Sequence, residues 1–420
     1  MKQMEWKDWL VKNRGNAVKL LQKLIQERSI QGRESSAQAV VIEACRELGL
    51  EIDIWEPDAK EMSTHKNFVS VREHFQDSPN VVAIWKGVGG GRSIILNGHI
   101  DVVPEGDPLQ WEHDPYEGKV KDGKVYGRGS TDMKGGNVAL LFAINALKST
   151  GVKLKGDVIF QSVIEEESGG AGTLAAILRG YTADAVLIPE PTNMKIFPKQ
   201  QGSMWFRVRV KGKSAHGGTR YEGVSALEKS VSVLEKIKEL ETVRNNRVRD
   251  PLYNGIPIPL PINIGKIDGG SWPSSVPDLV VLEGRIGVGP EEKLDDVKKE
   301  FADWLRSLSE VDSWFDSHPV EIEWFGAQWV PGAVEVEHPF VKLIEDAYKQ
   351  VVEKPAILEA SPWGTDGGLF TQLCDIPTVV FGPGTTEVAH YPNEYISIDQ
   401  MMKAAEIFAM VMMNWCEIAE

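Results

Sequence analysis

Apolar positions recur at helical spacing through the first fifty residues. Ala17, Leu20, Leu21, Leu24 and Ile25 form one stripe, and Ala37, Val40, Val41, Ala44 and Leu48 another. Two amphipathic helices between Trp6 and Leu50 follow from that period. The pattern then shortens to strand-like runs, EIDIW, VVAIW and SIILNGHID, the last two joined by KGVGGGR. This glycine cluster lacks the third glycine of a dinucleotide fingerprint, and a strand follows it, not a helix. It is read as a hairpin turn. From Gly135 onward NVALLFAINALK reads as a helix, DVIFQSVI as a strand, TLAAILRG as a helix and ADAVLIPE as a strand. Strands alternating with helices predict an α/β sheet with parallel pairs, in which function collects beyond the carboxyl ends of the strands.

Near Gln201 the texture changes. MWFRVRVKG alternates strongly, and SALEKSVSVLEKIKELE, INIGKIDGG, DLVVLEGRIGV, EEKLDDVKKEFADWLRSL and VEIEWF follow in turn. The order β-α-β-β-α-β predicts a ferredoxin-like α+β module. Helix, strand and helix patterns then return at PFVKLIEDAYKQVV, IPTVVFGPG and QMMKAAEIFAMVMMNWC. The expected fold is an α/β domain with a mixed, mostly parallel sheet flanked by helices, residues 1–200 and 327–420, interrupted by a module at 201–326.

Composition narrows the class. The chain has 420 residues, too many for one ordinary core, with 42% hydrophobic and 25% charged residues as in globular proteins. Net charge is -15 and no basic cluster interleaves with aromatics, which argues against nucleic acid or an anionic membrane as partner. Cys45, Cys374 and Cys416 lie far apart without CxxC spacing, as expected of reduced thiols. MKQMEWKDWLVKNRG shows no apolar signal core, and no run approaches a membrane span; the expected location is the cytoplasm.

Eight histidines occur. His65, His74, His113, His318 and His338 lie in polar, loop-like contexts and read as solvated. His99 ends a strand in NGHID, where Asp101 two residues on shares its face and could orient the imidazole. Asp132 sits in GRGSTDMKGG between a glycine turn and a helix, as a ligand or a helix cap. Glu165, Glu166 and Glu167 close the strand DVIFQSVI, Glu190 closes ADAVLIPE, and His390 lies in GTTEVAHYPNE. Histidine and carboxylate ligands without sulfur suit zinc, with cobalt or manganese as substitutes. Two such ions need a bridging carboxylate, and paired sites activate water and polarise a carbonyl.

The run LNGHIDVVPEGD…W…DPYEGKVKDGKVYGRGSTDMKGG resembles the metallopeptidase and deacylase family of acetylornithine deacetylase, succinyl-diaminopimelate desuccinylase, carboxypeptidase G and aminoacylase. EEES, PEPT, SAHGG and AHYPNE follow in that family's order, so the resemblance spans essentially the whole chain. It implies two divalent metal ions, most simply zinc. His99, Asp132 and Glu190 are implied as ligands of the first, and Asp132, Glu167 and His390 of the second, with Asp132 bridging and Asp101 orienting His99. Matching Gly169 and Gly170 to the family's small residues makes Glu166 the general base and Glu167 the ligand, with Glu165 the supporting acid before them. A one-residue slip would reassign all three.

The resemblance further implies that the inserted module is a lid and dimerisation domain. Its His216, in KGKSAHGG, would reach the partner subunit's site in a homodimer and hold the oxyanion. Arg285 and Asn263 would contact the substrate carboxylate, and the turns at Thr365, Asp366 and Gly384 would line the pocket. The implied activity is removal of the N-acyl group from an amino acid or related amine. Dipeptidase, carboxypeptidase, desuccinylase and formylaminopyrimidine deformylase are alternatives within the same chemistry. A non-catalytic binding protein is the alternative from another class.

Overall fold

A computed structural model describes residues 2–419, with side chains for residues 5–419. Two compact units are present: Met1–Lys199 with Gly332–Glu359 and Asp366–Glu420, and Gln200–Pro331 with Ala360–Thr365. Each has its own apolar core.

In the larger unit the helices Lys2–Gln26, Ser35–Glu47, Gly135–Ser149, Pro339–Val352 and Ile398–Trp415 flank a mixed sheet. Its centre is parallel: Ile94–His99 pairs with Val158–Val163 on one side and Val186–Ile188 on the other, and Val186–Ile188 pairs with Thr378–Val380. Antiparallel strands lie outside, Asn80–Trp85 and Glu51–Trp55 at one edge and Ile196–Gln200 beyond Thr378–Val380. Strands Ile94–His99 and Val158–Val163 are buried along their whole length, as central parallel strands covered on both faces should be. Helix Gly135–Ser149 is buried at nearly every position against helices Lys2–Gln26 and Ile398–Trp415, which explains its almost unbroken apolar run.

The structure corrects the hairpin expected at KGVGGGR. Asn80–Trp85 and Ile94–His99 are not neighbours, because Val158–Val163 lies between them, antiparallel to the first and parallel to the second. Gly87 and Gly91 serve close backbone approach as the loop passes the start of that strand, while Gly89 and Gly90 turn the chain at positive φ, 99° and 86°. Val88 and Gly89 amides donate to Leu154 and Lys155 carbonyls at 2.9 and 2.8 Å, and a Cβ on Gly91 would sit 2.4 Å from the Cys416 carbonyl oxygen.

The smaller unit carries a four-stranded antiparallel sheet in the order Ile262–Gly269, Leu279–Val288, Gly202–Lys211, Glu321–Trp329. Met204, Phe206, Val208 and Val210 point into its core, while Trp205, Arg207, Arg209 and Lys211 alternate outward. Helices Ala226–Asn245 and Leu294–Arg306 cover the inner face, where the Phe206 and Phe301 rings lie 4.6 Å apart. The cysteines Cys45, Cys374 and Cys416 form no disulfide. Among the described residues, no helix is long and apolar enough to cross a membrane.

Candidate metal centre

Parallel central strands deliver the acidic and imidazole groups to their carboxyl ends, on one side of the larger unit's sheet. His99 ends its strand, Glu165–Glu167 follow Val158–Val163, Glu190 follows Val186–Ile188, and the loop after Thr378–Val380 carries His390. Asp132 lies in the kinked turn Ser130–Lys134 that leads into helix Gly135–Ser149. It caps nothing: the residue before that helix is Lys134, without a side-chain cap.

His99 is buried, and its Nε2 lies 3.2 Å from Asp132 Oδ1 and 3.7 Å from Glu190 Oε1. The other Asp132 oxygen, Oδ2, lies 3.3 Å from His390 Nε2, and Glu167 meets the same nitrogen at 3.1 Å. A single carboxylate therefore stands between two imidazoles. His99, Asp132 and Glu167 can converge on one ion, as can His99, Glu166 and Glu190, their donor atoms lying within 4.8 Å of one another.

Asp101 is placed differently from a simple histidine partner. His99 Nδ1 is 2.8 Å from the Asp101 backbone carbonyl, while the nearer carboxylate oxygen is 3.6 Å away. That carboxylate accepts the backbone amides of Glu166 and Glu167 at 3.3 and 3.1 Å. The imidazole is thus oriented by a main-chain oxygen, a common arrangement for a metal-ligating histidine. Behind it, Asn137 Nδ2 donates to the His99 carbonyl at 2.7 Å. Gly98 makes room for this: a Cβ there would meet Asn137 Oδ1 at 1.9 Å.

Crowding and burial shift the protonation of the whole cluster. Burial pushes the Glu166 carboxyl well above its ordinary range, and the Glu190 and Asp366 charges push the same way. Glu190 is raised by burial and by Asp132, and Asp101 is pushed up to about 8 by burial against the opposing pull of His99. For His99, burial favours the neutral ring, but Asp132, Glu190, Asp101 and Glu166 together raise it well above the ordinary imidazole value. Glu167 is the main cause of the rise of His390 to about 11. Asp132 alone is lowered: the two imidazoles outweigh its burial. A pocket of crowded carboxylates that borrows protons to offset its charge, with N and O donors and no sulfur, fits a pair of divalent cations.

Several supporting residues escape a reading of the sequence. Glu394 is buried and accepts the Thr131 and Asp132 amides through Oε1 at 2.9 and 3.2 Å, while Oε2 takes Arg128 Nη1 at 2.6 Å. Arg128 Nη2 reaches the His390 carbonyl at 3.3 Å, so this buried pair ties the Asp132 turn to the His390 loop. Lys134 Nζ donates to the Leu24 and Glu27 carbonyls at 2.8 and 2.9 Å. The arginine and lysine stand inside GRGSTDMKGG, and their place in that run was the available signal.

Among the remaining sites, Asp366 accepts the Thr173 hydroxyl at 2.6 Å, and burial pushes its carboxyl up to about 6. Gly384, at φ 86°, donates its amide to Gln400 Oε1 at 3.1 Å, and the Thr365 hydroxyl donates to Gln200. In the smaller unit, Asn263 and Arg285 face each other as a cross-strand pair. His216 is exposed in a separate loop, its Nδ1 accepting the Gly218 amide at 3.1 Å. Of the other histidines, His338 caps helix Pro339–Val352 and His318 stacks on Trp314 at 3.7 Å.

Residues 95–414 match the family model of Peptidase family M20/M25/M40. The chain is 31% identical over 404 residues to N-formyl-4-amino-5-aminomethyl-2-methylpyrimidine deformylase of Halalkalibacterium halodurans, covering 91% of this chain and 90% of that protein. It is 28% identical over 352 residues to a probable succinyl-diaminopimelate desuccinylase of Staphylococcus aureus, covering 76% and 83%. Among solved structures, human carnosine dipeptidase 1 superposes with a TM-score of 0.73 at 19% identity, covering 99% of this chain and 100% of that one; at this identity it speaks for the fold.

Proposed function

The chain belongs to peptidase family M20/M25/M40, whose members hydrolyse amide bonds, and on that premise we propose that it removes a small acyl group from an amine with two divalent metal ions. One observation carries the reading: the Asp132 carboxylate lies 3.2 Å from one imidazole and 3.3 Å from another. His99, Asp132 and Glu190 would hold one ion, and Asp132, Glu167 and His390 the other. Bound cations of this kind supply Lewis-acid polarisation of the acyl oxygen and a water of lowered pKa.

The protein's own groups do the rest. Glu166, on the same loop as Glu167 and almost wholly buried, takes a proton from the attacking water and returns it to the leaving nitrogen. The Asp101 carbonyl fixes the His99 tautomer, with Nδ1 protonated and Nε2 left as the donor. The unit Gln200–Pro331 is proposed as the lid and dimerisation module, with its His216 stabilising the oxyanion in the partner subunit's site of a homodimer.

The substrate proposed first is a formylated aminomethylpyrimidine, supported by the deformylase relative at 31% identity. A second reading, an acyl amino acid or peptide with a free carboxylate, is favoured by Arg285. Its guanidinium makes no ion pair among the described residues, its Nε has no hydrogen-bond partner there, and burial lowers its pKa to about 10. The test is hydrolysis of the formylated pyrimidine, N-acetyl and N-succinyl amino acids, and dipeptides by zinc- or cobalt-loaded protein. Metal-dependent cleavage of the formyl compound supports the first reading. Cleavage only of carboxylate-bearing substrates, with KM raised in Arg285→Ala, supports the second. Absence of amide hydrolysis across the set overturns both.

A further inference from the structure

Glu165 is the odd member of the glutamate triplet. Its backbone is left-handed, φ 62° and ψ 23°, which a non-glycine residue keeps only where its surroundings over-determine it. Its side chain turns into the protein and is fully buried. Oε1 meets Arg72 Nη1 at 2.9 Å, and Oε2 accepts Ser70 Oγ and Gln31 Nε2 at 3.1 Å each and Ser168 Oγ at 3.2 Å. Arg72 is itself fixed. Nη2 donates to Ser78 Oγ at 2.8 Å, that hydroxyl donates to the buried Glu34 at 2.6 Å, and the guanidinium lies 4.8 Å from the Phe75 ring.

Ser70 and Arg72 come from residues 63–79, a connection without helix or strand. Connections this long without secondary structure are uncommon inside a compact domain. The hydrogen bonds and ion pairs of the Arg72 guanidinium go to Glu165, Glu34 and Ser78, not to the proposed base or metal ligands. It acts on the loop instead. The loop is gripped twice: Asp101 holds the Glu166 and Glu167 amides from one side, and Arg72 holds the Glu165 side chain from the other.

We propose that Arg72 is a positioning residue for this glutamate loop: by binding Glu165 it fixes the register in which Glu166 serves as base and Glu167 as metal ligand. This rests on the roles proposed for those two glutamates. Removing the guanidinium leaves Glu165 and Glu34 buried around a vacated cation and frees the left-handed residue to relax. Groups that orient metal ligands in this way typically govern about 10–100-fold in affinity or activity.

The test is a zinc titration of the metal-free full-length chain, with steady-state kinetics at saturating zinc on whichever substrate the wild type cleaves. Arg72→Ala is expected to weaken the second zinc equivalent about tenfold, leave the first within about twofold, and lower kcat by about 10–100-fold with KM little changed. Millimolar guanidinium ion, which fits the vacated site, should restore part of kcat in Arg72→Ala and none in Glu166→Ala. General loosening of the fold would weaken both equivalents and show no such rescue. If Arg72→Ala does not fold, Ser70→Ala removes one bond to Glu165 and the acceptor of the Arg72 amide while the Arg72–Glu165 pair stays, and should lower kcat several-fold and weaken the second zinc equivalent more than the first. Wild-type zinc binding and kcat in whichever variant folds overturns the proposal, as does a loss that falls equally on both equivalents. A wild type that binds two zinc ions and cleaves no amide overturns the functional reading instead, and the titration still tests the clamp.

Discussion

The Asp101 carboxylate accepts the backbone amide of Glu167, 66 positions away, at 3.1 Å. One residue thereby links the strand end that presents His99 to the loop that presents Glu166 and Glu167, through its carbonyl on one side and its carboxylate on the other. An Asp101→Asn variant keeps the carbonyl but turns one acceptor oxygen into an NH2 group facing an amide. It is expected to lose about 1–3 kcal/mol of stability and about 10–100-fold in kcat. Thermal unfolding and kinetics of the metal-loaded protein check this; unchanged values would mean that the two amides need no common acceptor.

Glu166 and Glu167 should separate cleanly. Glu166→Ala is expected to lower turnover by at least about 10²–10⁴-fold while both metal equivalents persist. Glu167→Ala should lose one equivalent. Metal analysis beside kinetics distinguishes them, and an exchange of these two outcomes would show the register to be shifted by one residue.

Arg128→Ala leaves Glu394 buried without its cation, 2.6 Å from where the guanidinium stood. Breaking a buried pair from one side costs about 3–5 kcal/mol. The Asp132 turn and the His390 loop should loosen together, so metal affinity falls with stability. Denaturant unfolding and metal titration of the same preparation read both.

The pH dependence has a definite sign. In the metal-free fold the Glu166 and Glu190 carboxyls are raised above 4.5, and the His99 and His390 imidazoles above 6.5. All four bind protons more tightly folded than unfolded, so the stability they contribute is present at low pH and is lost as pH rises past those values. Asp132, lowered from 3.8, acts oppositely, but only in more acidic solution. Metal binding needs the deprotonated donors and strengthens over the same range. The melting temperature of metal-free protein should therefore fall from about pH 5 to pH 8, and the gap to the zinc-loaded protein should widen. A gap that narrows toward pH 8 contradicts the charge account.

Much of the architecture was legible because strand ends carry the chemistry. NGHID, VIEEES and LIPEP each pair an apolar run with acidic or imidazole residues where it stops, and the alternation in MWFRVRVKG is what a one-sided sheet requires. Strand order was not legible. KGVGGGR has a turn-like composition, yet whether its flanking strands touch depends on a third strand more than sixty residues on, Val158–Val163. The supporting network was hidden for the same reason. Arg72 meets Glu165 across 93 positions and Thr131 meets Glu394 across 263, and local periodicity carries no trace of such pairs. Glu165 shows the limit most sharply: three identical side chains in a row diverge because one backbone angle turns the first of them inward.

The most direct test is turnover measured as zinc is added stepwise to metal-free protein, on any substrate the screen identifies. A dinuclear centre gives no hydrolysis without metal, a rise that levels off at two equivalents, and a return to zero with excess chelator. Full turnover in metal-free protein, or a plateau reached at one equivalent, would contradict a dinuclear centre built on Asp132.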